Sequence, residues 1–490
     1  MSATLSTVPA RPALAHASTY SSRRRQIAVL VVALAFVMDL MDSTILTIAL
    51  PTIQRTMQAS LSAVNWMAAA YTLAFAVLLI TGGRMGDIFG YRRLFLMGVA
   101  GFMVSSLLVG VAWNPDALIA ARLVQGAAAA LMVPQVLSVV QLLYEAEERV
   151  AVNGMLGGLS MLATTLAPVV TGLLIKANIA GLSWRPIFLI NVPFCLAALW
   201  LAARYLPAGK SARRLRVDLV GTTLLVAAMG LLVFPLIEGR DLGWPAWAYG
   251  MLGASALLFG VFAWCQRRAE RAGGSPLVIP ALFRRRSFGL GLVVSLLLFA
   301  TTACFALTFT LLLQLGYGFT AIHTVLTGLF ITLGIVVTVG AMGKKIIPGL
   351  GRWSLTIGLA VMIVGTAGVG LIADHASSAP TTWQLAPTLF ILGAGMGMVV
   401  MPLLPFVLSS VDPDDAGSAS GIANAVQQVG GALGVALIGA VFFGRLTDTA
   451  NYGHAFAVGI WLQLALLGIA AVVTIFLPAR IAVDAYTPHP

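Results

Sequence analysis

Charge is what this sequence has least of. Only 9% of its 490 residues are Asp, Glu, Lys or Arg, against 59% hydrophobic, and the mean hydropathy of +0.97 lies far outside the range of soluble domains. Cysteine is scarce too. Cys195, Cys265 and Cys304 each sit inside an apolar run with no CxxC or Cys/His spacing, which excludes a disulfide framework and gives no metal site; they read as small core residues. No P-loop, dinucleotide fingerprint, HExxH or nucleophile elbow occurs in any loop, and no polar segment is long enough to fold as a nucleotide-binding domain. The chain therefore reads as no enzyme and needs no cofactor. Any work it does on a solute must draw on an ion gradient, where each charge crossing 100 mV releases about 2.3 kcal/mol.

What the sequence has in abundance is long apolar runs without period-2 alternation, which selects membrane helices over a barrel. Breaks at charge, proline and glycine clusters place helices at 27–49, 64–82, 94–113, 117–140, 152–176, 187–205 and 217–237. A second set falls at 247–265, 288–313, 322–341, 354–373, 385–408, 420–442 and 456–477. With fourteen spans and a cytoplasmic N-terminus, 23 of the 29 Lys and Arg residues fall on the cytoplasmic side. Arg55, Lys176, Arg185, Arg240 and Arg445 fall on the other, and Arg122 lies within a span. The net charge of +12 is then a topology signal, with both termini cytoplasmic, and not a nucleic-acid footprint. Trp113, Trp184, Trp244, Trp247, Trp353 and Trp383 fall near span ends, where an aromatic belt is expected.

The most basic loops, 204–216 and 266–287, flank the seventh and eighth helices and divide the chain into six, two and six helices. Residues 1–26 are expected to be a disordered cytoplasmic arm, 27–205 a six-helix bundle and 206–287 a linker with two inserted helices. A second six-helix bundle is expected at 288–477 and a cytoplasmic tail at 478–490. The halves echo each other weakly, Gly83–Arg93 following helix 2 and Gly343–Arg352 following helix 10, as in carriers built from repeats.

Five stretches carry a family resemblance. Asp42-Ser43-Thr44-Ile45-Leu46-Thr47-Ile48-Ala49-Leu50-Pro51 lies in helix 1, and Trp66 with Tyr71 in helix 2. Gly83, Asp87, Gly90, Arg92 and Arg93 lie in the following loop, Arg122-Leu123-Val124-Gln125-Gly126 in helix 4, and Trp184 to Pro193 at the start of helix 6. In that order they resemble the fourteen-helix drug:proton antiporter branch of the major facilitator superfamily. The resemblance implies an all-α major facilitator fold in the bacterial cytoplasmic membrane, working as a monomer on protons and a small molecule. It also implies that Asp87, with Arg84, Arg92, Arg93, Gly83 and Gly90, forms a conformational latch. In helix 5 the branch's glycines around a Gly-Pro pair are replaced by Ala163, Ala167-Pro168 and Thr171-Gly172; small residues still permit close packing.

Chemistry concentrates on helix 1. Asp39 and Asp42 are the acids deep inside a span, and Arg122 the base. An ionised side chain at the bilayer centre costs about 2.5–3.5 kcal/mol, so such groups face a polar interior. They could simply pair as structural glue. Three residues apart, however, the two carboxylates share a helix face, cannot both ionise easily in one low-dielectric site, and titrate as a pair. Asp42, with Asp39 assisting and Arg122 biasing it, is expected to bind a proton or a cationic substrate but not both. Trp66, Tyr71, Gln125, Phe305, Phe309, Asn424 and Gln427 are cavity candidates, because aromatic faces beside carboxylates attract lipophilic cations. Pro168, and Pro402 with Pro405 in helix 12, are expected to kink their helices. The expected function is proton-coupled efflux of hydrophobic, cationic drugs or toxic compounds; a symporter or facilitator of a small metabolite, or a membrane sensor or scaffold, are the alternatives.

Overall fold

The computed structural model describes residues 21–478 apart from 145, 210–216, 240–241, 275, 344–345, 376–378, 412–415 and 450. Most of the expected arm and tail, part of the basic linker, Arg240, Lys344 and Lys345 therefore lie outside the described residues.

Among the described residues, fourteen helices are long and apolar enough to cross a membrane. They are α1 (Ser22–Met57), α2 (Leu61–Phe89), α3 (Tyr91–Gly110), α4 (Pro115–Leu143), α5 (Met155–Ala177), α6 (Pro186–Tyr205) and α7 (Leu219–Glu238). They continue with α8 (Ala246–Arg271), α9 (Arg286–Gly316), α10 (Ala321–Met342), α11 (Arg352–His375), α12 (Thr382–Leu408), α13 (Ala419–Leu446) and α14 (Tyr452–Ile475). Local chemistry sets several starts: Ser60, Asn114, Asp218, Thr320 and Asn451 each accept a backbone N–H three residues on, and Thr381 with Gln384 closes a capping box.

Observed helices outrun the apolar runs because hydropathy marks the hydrocarbon layer and not where backbone bonding stops. Ser22 to Gln26, expected in the arm, form the first turns of α1. They are tied down by Arg24 donating to the Tyr205 carbonyl, by an Arg25–Glu148 ion pair, and by Arg25 lying 4.3 Å over the Tyr144 ring. The loop expected at Gly83–Arg93 is mostly helix: α2 runs through Phe89, Gly90 alone breaks it, and Tyr91 begins α3. Gly90 has φ +100°, a conformation that costs glycine nothing, and the Tyr91 amide donates to the Gly209 carbonyl at 2.9 Å.

Six of these helices, α1 to α6, pack α2 and α3 on α4, α3 on α6, and α1 on α5 and α6. The same pairing recurs among α9 to α14, with α10 and α11 on α12, α11 on α14, and α9 on α13 and α14. Lipid tails are as apolar as leucine, so such contacts depend on close approach of small residues. Gly126 is one such case, since a Cβ there would lie 2.2 Å from the Tyr71 carbonyl oxygen; α2 and α4 could not meet there as they do with any other residue. Trp113, Trp353 and Trp383 are exposed, whereas Trp184 departs from the expected belt. Its ring is buried because Nε1 donates to Thr56 at 3.0 Å and Phe188 packs edge-on at 6.1 Å.

Candidate functional site

Two features stand out in the interior, a buried charge cluster and a separate cavity. Asp42 is fully buried and paired with Arg122, which is 1% exposed. The Asp42 carboxylate also accepts from Gln125 at 3.0 Å and Asn191 at 3.1 Å. Arg122 donates to Gln125 at 2.7 Å, and Gln125 and Asn191 both reach the Ser106 hydroxyl, at 2.9 and 3.4 Å. One turn before Asp42 on α1, Asp39 accepts from the Tyr71 hydroxyl. The Arg122 guanidinium lies 4.4 Å over the Tyr71 ring and links the two aspartates. Nε of Arg122 is buried without a hydrogen-bond partner.

The helices explain this constellation. Arg122 and Gln125, three apart, share one face of α4, and Gly126 lets that face meet α2 beside Tyr71. Asp42 comes from α1, Ser106 from α3 and Asn191 from α6. A charge pair so deep survives only when its other lone pairs and protons are also engaged, and the carboxamides of Gln125 and Asn191 do that. Every member belongs to α1, α2, α3, α4 or α6.

The cavity, about 230 Å³, lies between α1 and α5 on one side and α9, α10, α11 and α12 on the other. Thr44 and Thr47, Thr164 and Thr165, Thr301, Thr302 and Thr310, Thr324 and Thr332, and Thr366 line it. Phe305 and Phe309 stack at 5.1 Å and 17° along one wall. Among the described residues, no ionisable side chain is part of the lining. At the end away from Ser22, the Gln314 side chain donates to the carbonyl of Ile48, a lining residue, at 3.1 Å, and Arg55 donates to the Gln314 carbonyl at 2.7 Å. Pro51 lies inside α1 just beyond and offers no N–H to the Thr47 carbonyl, which loosens the helix beside this contact. On the α9 side, Leu312–Gly316 form a wide π-helical turn, a form common at functional sites.

The other expected residues scatter. Among the cavity candidates, Phe305 and Phe309 line the cavity, while Tyr71 and Gln125 belong to the charge cluster. Trp66 donates through Nε1 to Glu238 on α7 at 2.7 Å. On α13, Asn424 is exposed and Gln427 half-buried. Ala167 is buried, Pro168 lines the cavity, and Gly172 sits where a Cβ would come 3.0 Å from Ile322 Cα on α10. At the other end of α2, half-buried Asp87 accepts from Tyr91 at 2.9 Å, Arg84 donates to the Pro276 carbonyl and Arg92 to the Ala203 carbonyl, and Arg93 is exposed. Gly83 approaches Pro134 of α4 in ordinary contact, 3.5 Å from where a Cβ would stand. Sequence reasoning gave no role to Ser106, Gln314, Glu238 and most of the threonines, and met Asn191, Thr44 and Thr47 only as members of the quoted motifs. Asn191 and the paired threonines, as polar groups inside apolar runs, were signals that could have been read further; Ser106 offered none.

Just outside the spans, Asp218 ties the start of α7 to the end of α8 and to the segment that follows it. Its oxygens accept from the Gly221 amide at 2.8 Å, Gln266 at 2.7 Å and the Leu277 amide at 3.3 Å. Burial pushes the carboxyl up, but those hydrogen bonds and the Arg84 charge outweigh it and hold it below the usual carboxylate range.

Residues 32–435 match the family model described as Major Facilitator Superfamily. The chain is 39% identical over 432 residues to the probable actinorhodin transporter of Streptomyces coelicolor, covering 87% of this chain and 74% of that one. It is 34% identical over 457 residues to the cephamycin export protein of Amycolatopsis lactamdurans, covering 89% of each. Among solved structures, an auto-inhibited peptide transporter of the POT family superposes with a TM-score of 0.67 over 95% of this chain and 99% of its own, at 17% identity, a likeness of fold.

Proposed function

The chain belongs to the major facilitator superfamily, and from that membership we propose that it exports hydrophobic small molecules across the bacterial cytoplasmic membrane in exchange for protons. Export is the direction named for its cephamycin relative. The observation that carries the proton part is the Asp42–Arg122 pair, buried with Asp39 and Tyr71 inside the apolar helices.

Protonating Asp42 removes the charge that compensates Arg122. An uncompensated buried charge costs about 3–5 kcal/mol, enough to drive α1 and α4 to a different arrangement. The same α1 carries Thr44, Thr47 and Ile48 of the cavity, so proton binding and cavity shape are tied through one rigid element. In this reading α1–α6 and α9–α14 are two six-helix units that rock about the cavity, α7 and α8 are an inserted pair, and both termini are cytoplasmic. Hydrogen bonding of Gln314 with Ile48 and Arg55 then closes the cavity on the outer side. Asp87, Arg84 and Arg92 sit at the cytoplasmic side as the latch.

Reconstituted vesicles with an imposed pH gradient and a panel of lipophilic dyes test this. The full chain should accumulate dye against its gradient only when protons can flow back, and Asp42→Asn should abolish that coupling. Gradient-driven flux that persists unchanged in the Asp39→Asn/Asp42→Asn double variant would overturn the proposal.

A further inference from the structure

We infer that the cavity selects neutral, compact aromatic molecules that carry hydrogen-bond donors, hydroxylated fused rings foremost, in preference to organic cations. The inference rests on the export reading for its biological meaning, but not for its physical basis. An organic cation held away from water needs a carboxylate or a dense aromatic cage. The lining offers neither: Asp39 and Asp42 are committed to Tyr71, Arg122, Gln125 and Asn191 outside it, and phenylalanine is a weak cation–π partner.

The threonines supply the specific half of the argument. Thr44, Thr164, Thr301, Thr302 and Thr324 each donate the hydroxyl proton to the carbonyl four residues back on their own helix, at 2.8–3.1 Å. A hydroxyl whose proton is used in that way keeps only lone pairs to offer. These five therefore present acceptors, and an acceptor surface is satisfied by O–H or N–H groups on the ligand. Thr47, Thr165, Thr310, Thr332 and Thr366, which also line the cavity, have no side-chain hydrogen bond among the described residues and can do either. The Phe305–Phe309 stack adds a flat apolar wall on which one ring system can lie. With about 230 Å³ available, below the roughly 300–1,000 Å³ of drug-sized sites, the fit is to a few fused rings.

Three probes on one naphthalene frame separate the alternatives: 2,6-dihydroxynaphthalene, 2,6-dimethoxynaphthalene and 2-naphthyltrimethylammonium. Binding is read by naphthalene fluorescence on the full chain in lipid nanodiscs at pH 6.5 with no gradient. Empty nanodiscs and Gly328→Phe define the background, since Gly328 lines the cavity and a side chain there meets open space. The dihydroxy compound should bind at least about tenfold more tightly than either other probe, one to two hydrogen bonds' worth. Thr44→Val with Thr302→Val, which removes two of the acceptor hydroxyls, should weaken that preference severalfold, and the corresponding serine pair should keep it. Tightest binding by the ammonium probe, equal binding of the hydroxy and methoxy compounds, or binding of none of the three overturns the inference. Because the three probes are compared on the wild-type chain, misfolding of the valine pair does not affect that outcome. A chain that shows the preference but moves no probe in vesicles refutes export and leaves the cavity assignment standing; gradient-driven export of the ammonium probe alone does the reverse.

Discussion

Asp42→Asn keeps the size of the side chain and deletes its charge. An amide oxygen at position 42 can still accept from Gln125 and Asn191, which now lie at 3.0 and 3.1 Å. What disappears is the counter-charge of Arg122, whose Nε already lacks a partner. Removing one member of a buried pair costs about 3–5 kcal/mol, and the two retained hydrogen bonds, near 1 kcal/mol each, hold the expected loss to about 1–3 kcal/mol. Arg122→Gln strands the carboxylate instead, at a similar cost. The double variant strands neither charge and should lose no more than the worse single variant, a coupling of at least the smaller single loss, about 1–3 kcal/mol. Equilibrium unfolding in mixed detergent micelles, followed by circular dichroism, measures all three. If the two single losses add to within about 0.5 kcal/mol, the groups are not a compensated pair, and the coupling mechanism built on them fails.

Other consequences follow from named contacts. Gly126→Val places side-chain atoms against the Tyr71 carbonyl and should destabilise the fold by about 1–3 kcal/mol through overpacking, read in the same unfolding assay. Gln314→Ala breaks the bond to Ile48; a cysteine at Thr47 should then react with an impermeant thiol reagent added outside about tenfold faster, a difference of roughly 1.4 kcal/mol in opening, and an unchanged rate refutes the outer closure. Asp218 has a folded-state carboxyl below its unfolded value, so its stabilisation is fully present above about pH 4–5 and is lost as pH falls through the folded value. The stability gap between wild type and Asp218→Asn, measured by thermal unfolding, should therefore be constant from pH 7 to 5 and shrink below pH 4. Asp87→Asn should bind substrate normally but turn over slowly, and wild-type turnover excludes the latch.

Much of the architecture was legible because a membrane helix is a local object. With no water in the hydrocarbon, each segment must satisfy its own backbone, so fourteen apolar runs translate into fourteen helices without knowledge of their neighbours. The same logic picked out Asp39, Asp42 and Arg122, since ionised groups are too costly to stand there by accident. Helix ends were less legible: α1 and α2 continue past the apolar layer, where capping and contacts such as Arg25–Glu148 decide the boundary and hydropathy does not.

The partners of those charges belong to tertiary structure. Spacing says that Asp39 and Asp42 share a face of α1, but the rotation and approach of α2, α4 and α6 give Asp39 to Tyr71 and Asp42 to Arg122, Gln125 and Asn191. The cavity depends on packing even more. Its lining comes from six helices up to about 350 positions apart, each contributing the few residues that its rotation turns inward. The sequence alone determined that this chain crosses a membrane fourteen times and carries buried charge, because bilayer energetics act on one segment at a time. Only the tertiary structure decided that the charge is sealed among the first six helices while the cavity is uncharged and threonine-lined, because both depend on how separate helices turn toward one another.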